Sequence, residues 1–325
     1  MLDYFGRKIN YLRLSITDRC DLRCKYCMPQ NMKFSPKKDS LTLENLKEIS
    51  FALINIGIKK IRITGGEPLV RKDIIYLINY LNIFKKKGLL EEIAMTTNGT
   101  LLKKFAFEIF NNGVNRLNIS LDSLVSEKYK FITNGGNLDN VLEGINFAKA
   151  LGIKIKINTV LINNFNTDEI LNITKWCADN NFKVSFIEVM PLGKIEESRN
   201  KQYFPIFKAR DIIEEEFGLK SSTYKSNGPS KYFQTKKYNS TIGFISPISN
   251  KFCESCNRIR VTSDGKLFGC LGHDDSLDLK LLLNNKKSIF INELKKIIFN
   301  KPEKHFFDIN KKAPAVERFM SFTGG

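Results

Sequence analysis

Long apolar runs are missing from this chain. No stretch of its 325 residues approaches the roughly 20 consecutive apolar positions that cross a bilayer. The opening, MLDYFGRKINYLRL, lacks the uninterrupted apolar segment of a signal peptide. Together these absences predict a cytoplasmic protein with no membrane partner. Internal repeats beyond a strand–helix unit and long low-complexity tracts are also absent, which leaves an ordinary globular composition, 42% hydrophobic and 26% charged. Acidic residues are scarce: 34 stand against 52 lysines and arginines, a net charge of +18. Such an excess invites a nucleic-acid reading. The lysines are spread along the whole chain, however, and the longest run, Lys85 to Lys87, closes a helical stretch where positive charge suits the helix dipole. The charge therefore supports only a polyanionic small substrate, and no nucleic-acid partner is expected.

What is present is an alternation. From residue 11 to 190, β-like runs at 11–17, 60–64, 92–97, 116–122, 153–161 and 183–190 alternate with segments of helical periodicity. One such helix carries Leu46, Ile49, Leu53 and Ile56 between a Thr42 cap and Gly57; another carries Ile74, Leu77, Ile78 and Leu81. Six βα units predict a parallel sheet, either doubly wound or a partial (βα)6 barrel, with ligands at the carboxyl ends of its strands. The polar and unusual residues fall at that rim. Past residue 200 the alternation stops, so a barrel over 1–205 and a C-terminal α+β domain over 206–325 that covers the barrel mouth are expected.

Seven cysteines without an export signal point to metal or thiol chemistry rather than disulfides. Cys177, beside Trp176, reads as a small buried hydrophobe. Cys20, Cys24 and Cys27 form C-x3-C-x2-C, a soft-ligand set suited to iron–sulfur or zinc. Three thiolates leave one iron of a 4Fe–4S cluster open, which is a mark of chemistry rather than stapling. Cys253, Cys256 and Cys270 form a second trio, C-x2-C-x13-C, followed by His273. Taken alone, this second set fits a structural zinc ribbon as well as a cluster. Two incomplete trios in one chain favour two clusters.

The runs DYFGRKINYLRLSITDRCDLRCKYCMP and ITGGEPLVR, and CESCNRIR with Cys270, are similar to those of the GTP 3′,8-cyclases. These are radical S-adenosylmethionine enzymes that open molybdenum cofactor biosynthesis. The resemblance runs from about Asp3 to the terminal Gly324-Gly325. It implies two 4Fe–4S clusters, on Cys20, Cys24 and Cys27 and on Cys253, Cys256 and Cys270, and S-adenosylmethionine chelated at the first. Cleavage of that cofactor would give a 5′-deoxyadenosyl radical that takes the 3′ hydrogen of GTP. Attack of C3′ on guanine C8 and reduction would then yield 3′,8-cyclo-7,8-dihydro-GTP.

By the same resemblance, Tyr26, Gly66, Ser120 and Met190 would contact S-adenosylmethionine. Arg13, Arg62, Thr96, Lys156, Arg258, Ile259 and Arg260 would contact GTP, with Lys60 and Arg71 as further partners. Arg258, Arg260, Gly324 and Gly325 would be needed for catalysis. Glycine at 65 and 66 would permit close backbone approach. Alternation along an extended segment sends Arg258 and Arg260 to one face. Two positions depart from the family pattern. Ser185 stands where many members carry an arginine expected to bind phosphate, which leaves Lys183 as a substitute or a triphosphate held by fewer cations. Asp21 stands where Asn is common, a change expected to be harmless. A homodimer, an electron donor and the next enzyme of the pathway complete the implied partners. The alternatives are a radical enzyme acting on a peptide or another small molecule, and a zinc-ribbon RNA-binding protein; the latter leaves the first trio unexplained.

Overall fold

The computed structural model describes residues 1–226, 228–311 and 313–324. Among these residues twelve strands make one sheet: β1 Tyr11–Ser15, β2 Lys60–Thr64, β3 Glu92–Thr97, β4 Arg116–Ser120, β5 Lys154–Leu161, β6 Lys183–Glu188, β7 Leu219–Ser221, β8 Lys231–Thr235, β9 Thr241–Ile245, β10 Arg258–Val261, β11 Lys266–Phe268 and β12 Ser276–Asp278. Their order is β12-β11-β10-β1-β2-β3-β4-β5-β6-β9-β8-β7. Neighbours from β1 to β6 are all parallel and joined by helical crossovers, the arrangement of a partial (βα)6 barrel. The six strands lie within two residues of the runs read from sequence.

Local chemistry explains the crossovers. Thr42 opens the helix Leu43–Asn55 with a capping box: its hydroxyl accepts from Asn45 N–H, and the Asn45 side chain accepts from Thr42 N–H. The helix ends before Gly57, whose φ of +109° suits only glycine. Its stripe of Leu46, Ile49 and Leu53 packs into the core. The helix Ile74–Lys86 closes on Lys85 and Lys86, as expected. Alternation in β1 buries Leu12 and Leu14 in that core, each burial contributing about 1.5–3 kcal/mol, and sends Arg13 to the opposite face. Cys177 is 1% exposed within the same core, a buried hydrophobe as read.

The C-terminal part joins the sheet on both sides of the barrel strands. β10 pairs in parallel with β1, and β9 in parallel with β6, so the sheet runs unbroken across residue 205. Strands of four and five residues, paired across 247 positions for β10 with β1 (Tyr11 to Arg258) and 58 for β9 with β6 (Val184 to Ile242), carry no local periodic signal of their partners. No helix among the described residues is long and apolar enough to cross a membrane.

Candidate active site

One large cavity opens at the carboxyl ends of β1 to β6, and both cysteine trios line it. The first trio leaves β1 on a loop held from several sides. Arg23 N–H and Lys25 N–H donate to the carbonyls of Thr133 and Ile132, at the end of the helix Ser126–Thr133. Asp21, the departure from the family pattern, accepts from Asn98 Nδ2 at 2.8 Å and Thr100 Oγ1 at 2.6 Å, tying the loop to the exit of β3. Gly66 N–H and Glu67 N–H donate to the carbonyls of Thr17 and Arg19. A Cβ on Gly66 would lie 2.3 Å from the Arg19 oxygen, and one on Gly65 2.6 Å from that of Thr17. The glycines are therefore required by the chain's own backbone, in addition to whatever approaches from the cavity. The Tyr26 hydroxyl donates to Asp122 at 2.8 Å, and the Arg199 guanidinium holds the Tyr26 carbonyl at 2.7 Å.

The second trio lies across the cavity. Arg258 Nη2 is 3.7 Å from Cys256 Sγ and its guanidinium stacks over Phe252. His273, the proposed fourth zinc donor, places Nε2 on the Lys304 carbonyl at 2.8 Å. Among the described residues no three Cys, His, Asp or Glu side chains approach closely enough to grip one metal ion, so the Cys3His set of a zinc ribbon is not assembled. A cluster takes one thiolate at each iron and asks for wider spacing. Both trios are unpaired and face one cavity.

The two environments differ at Cys256, whereas burial raises Cys270 as it raises the first trio. Burial pushes Cys20 and Cys24 up, and Asp21 adds to the effect at both, with Glu67 at Cys20 and Asp122 at Cys24. Cys27 is pushed up to about 11 by burial despite Arg199. Burial also opposes ionisation of Cys256, but Arg258 and Lys301 overcome it and hold that thiol down at about 6. Burial itself raises Glu67 to about 8 and Asp122 to about 6.

Between the trios lies a row of arginines. Register places Arg260 beside Arg13 and Arg13 beside Arg62 on three adjacent parallel strands. Like charges directly opposite one another destabilise a sheet. Among the described residues none of these three, nor Lys156 or Arg258, has a carboxylate within salt-bridge distance. Burial, then Arg260 and Arg62, pull Arg13 well below its usual range, and burial brings Arg260 to about 10. The buried Nε atoms of Arg13 and Arg62 have no hydrogen-bond partner among the described residues. Such a cluster is built for a polyanion.

Comparison with known proteins agrees. Residues 14–177 match the radical SAM superfamily and residues 182–307 the Molybdenum Cofactor Synthesis C family. A GTP 3′,8-cyclase of Agrobacterium fabrum is 44% identical over 329 aligned positions, covering all of this chain and 94% of its own. One from Brucella ovis is equally identical, with 96% of its own length covered. The chain belongs to the GTP 3′,8-cyclase family. Its fold is shared with SuiB of Streptococcus suis bound to S-adenosylmethionine, at a TM-score of 0.64, 14% identity and coverage of 97% of this chain and 77% of that one. Membership of the radical SAM superfamily brings S-adenosylmethionine and an iron–sulfur cluster.

Within the cyclase family's pattern, the cavity gathers most of the residues singled out from sequence. Arg13, Arg62, Thr96, Lys156, Arg258 and Arg260 line it, as do Tyr26, Gly66, Ser120 and Met190. Ile259 does not: alternation on β10 turns its side chain into the apolar core, fully buried. Arg71 is committed elsewhere, to Asp73 and to the Ile16 and Leu41 carbonyls, and Lys60 pairs with Glu91. Gly324 enters from the C-terminal segment, its carbonyl accepting from Arg260 at 2.7 Å and Arg13 at 3.4 Å. A Cβ there would overlap Thr64 Oγ1. Gly325 lies outside the described residues.

At Ser185, Lys183 does not step in, because its Nζ sits over the Tyr224 ring at 4.7 Å. Ser185 Oγ instead meets Ser230 Oγ at 2.9 Å, and Ser230 and the Tyr232 hydroxyl hold Lys156 Nζ at 3.1 and 3.0 Å. Burial lowers Lys156 to about 8; against burial, Lys156 brings Tyr232 to about 8 as well.

Several residues were not found by sequence reasoning. Arg7, inside the quoted FGRK run, donates to the carbonyls of Cys253, Glu303, Lys301 and Pro302. Lys301 and His305 line the second trio's side of the cavity from a segment with no motif. Burial, then the nearby Lys251, lowers His305 to about 4. Glu188, fully buried, accepts from Tyr203, Ile206 N–H, Ile248 N–H and Ser249, tying β6 to the loop that leads to Cys253. A buried carboxylate in mid-sequence carries no pattern to mark it.

Proposed function

We propose that this chain cyclises GTP to 3′,8-cyclo-7,8-dihydro-GTP, the first step of molybdenum cofactor biosynthesis. The observation that carries the proposal is the row Arg260, Arg13 and Arg62, with no carboxylate within salt-bridge distance among the described residues, in one cavity with both cysteine trios. Cys20, Cys24 and Cys27 would hold one 4Fe–4S cluster, and Cys253, Cys256 and Cys270 a second. Bound together, the first cluster and S-adenosylmethionine supply the one-electron chemistry that removes a hydrogen atom from C3′ of the ribose.

The chain's own residues bind and orient. Tyr26, Gly66, Ser120 and Met190 would line the cofactor end. Arg13, Arg62 and Lys156 would hold the triphosphate, with Thr96 beside them. Arg258 and Arg260 would fix the nucleoside between the trios, where a misplaced ribose would react at the wrong carbon. Ile259 would contribute through its backbone alone. Gly324 and Gly325 would complete the wall behind Arg260 and Arg13. The hydroxyls of Ser230 and Tyr232, with Lys156, take up the space left by the arginine missing at Ser185. Residues 1–205 and 206–325 would act as two units sharing one sheet, in a cytoplasmic homodimer served by an electron donor and followed by the next enzyme of the pathway.

The test is anaerobic. The protein is reconstituted with iron and sulfide, reductant and S-adenosylmethionine are added, and 5′-deoxyadenosine is followed with and without GTP. The proposal expects GTP to raise 5′-deoxyadenosine formation and an isomer of GTP with the same mass to appear. If 5′-deoxyadenosine forms while GTP is returned unchanged, the substrate assignment falls.

A further inference from the structure

Lys301 occupies a place that lysine rarely takes. Its side chain is among the most buried in the protein, at 2% exposure, and it lines the cavity on the side of the second trio. Nζ donates to the Gly269 carbonyl at 2.7 Å, one residue before Cys270. Among the described residues no carboxylate lies within salt-bridge distance of it. A buried cation left without negative charge is strongly unfavourable, so a counter-charge has to come from nearby.

The surroundings name the source. Lys301 acts electrostatically on both Cys256 and Cys270. Its backbone is held by Arg7, whose guanidinium donates to the Lys301, Pro302 and Glu303 carbonyls at 3.2, 2.7 and 2.7 Å and to that of Cys253 at 3.0 Å. Arg7 thus locks the Lys301 segment to the first cysteine of the trio. Arg7 itself is neutralised by Asp3, at 2.5 Å, so it does not compete for the same negative charge. Among the described residues no buried lysine faces the first trio, where Arg199, beside Cys27, is the neighbouring cation.

We propose that Lys301 is a positioning residue for the second cysteine trio: the thiolates and the cluster they hold neutralise it, and it retains that cluster and raises its reduction potential above that of the first. A nearby positive charge favours the more negative, reduced cluster, which is the basis of the second effect. The inference rests on the two-cluster reading.

The experiment uses the full chain with Cys20, Cys24 and Cys27 replaced by alanine, so that only the second trio can hold iron. Iron and sulfide content, the rate of iron loss to a chelator, and the midpoint of the reduced cluster's EPR signal are measured with Lys301 intact, as Lys301→Gln and as Lys301→Arg. Gln retains a donor for the Gly269 carbonyl without the charge, so the comparison reads the charge and spares the fold. The expected result is a midpoint shifted to more negative potential and iron loss about 10–100-fold faster in Lys301→Gln, with Lys301→Arg near the parent. In the complementary protein lacking Cys253, Cys256 and Cys270, Lys301→Gln should leave the first cluster's midpoint unmoved. An unmoved second midpoint and unchanged iron loss in Lys301→Gln would overturn the assignment of Lys301 alone. A protein with Lys301 intact that binds no iron at the second trio would overturn the two-cluster reading, and this inference with it.

Discussion

The two cysteine trios have the same number of ligands and opposite surroundings. The first hangs on a short loop at the end of β1, beside Asp21 and Asp122, with Arg199 facing Cys27. The second sits among Arg258, Lys301 and the Arg260 row, in a segment that Arg7 holds by carbonyls. An acidic surround favours a cation, and the sulfonium of S-adenosylmethionine is one. A basic surround favours an anion, and a nucleoside triphosphate carries several charges. On the proposed function, electrostatics would divide the cavity into a cofactor end and a nucleotide end, where spacing alone leaves two similar cysteine motifs.

That division is most sharply tested by removing one ligand from each side. Cys24→Ser should abolish S-adenosylmethionine cleavage, whereas Cys256→Ser should retain unproductive cleavage and lose product. Equal loss of both activities in the two variants would erase the distinction. Next in size is Gly66→Ala. The new Cβ meets backbone at 2.3 Å, which cannot swing aside, so the cost should be about 1–3 kcal/mol of stability, and the first trio should lose iron preferentially. Thermal melting with iron analysis reads both; an alanine variant that melts like the parent would show that the β1 exit relaxes freely. Arg260→Ala comes third, and should lower cyclised product at least tenfold, about 1.4 kcal/mol of transition-state stabilisation, while 5′-deoxyadenosine continues to form. A parallel fall of the two products would move Arg260 to the cofactor end.

How much of this was legible beforehand follows from range. The strands β1 to β6 declare themselves through local alternation, and the rim residues follow because strand ends are countable from the runs. Arg258 and Arg260 were readable as a same-face pair, since two-residue periodicity is local too. The register that sets Arg260 against Arg13 and Arg62 is not, because it depends on β10 inserting beside β1 across most of the chain. Arg7, Glu188 and Lys301 were hidden for the same reason: each acts on groups far away in sequence, and a single buried Arg, Glu or Lys looks like a surface residue until its neighbours are placed. Ser185 shows the reverse limit. The sequence marks the missing arginine, but only the packing shows that Ser230, Tyr232 and Lys156 fill its surroundings.

The smallest effect concerns that replacement and is read by pH. Lys156, lowered to about 8 by burial, carries its proton below that value and loses it above, and Tyr232, also at about 8, gains negative charge over the same range. The two groups are coupled by their hydrogen bond, so the pair loses one proton over this range and its net positive charge with it, which weakens its hold on a triphosphate. Direct titration of GTP onto the protein should show affinity falling as pH rises from 7 to 9, by about tenfold for the loss of one charged hydrogen bond of roughly 1.5 kcal/mol. Arginine stays protonated over this range and phenylalanine has no proton to lose, so the double variant Lys156→Arg, Tyr232→Phe should flatten the profile. A parent profile that is already flat would place the triphosphate away from β5. A slope that survives in the double variant would assign the titration to another group in the cavity.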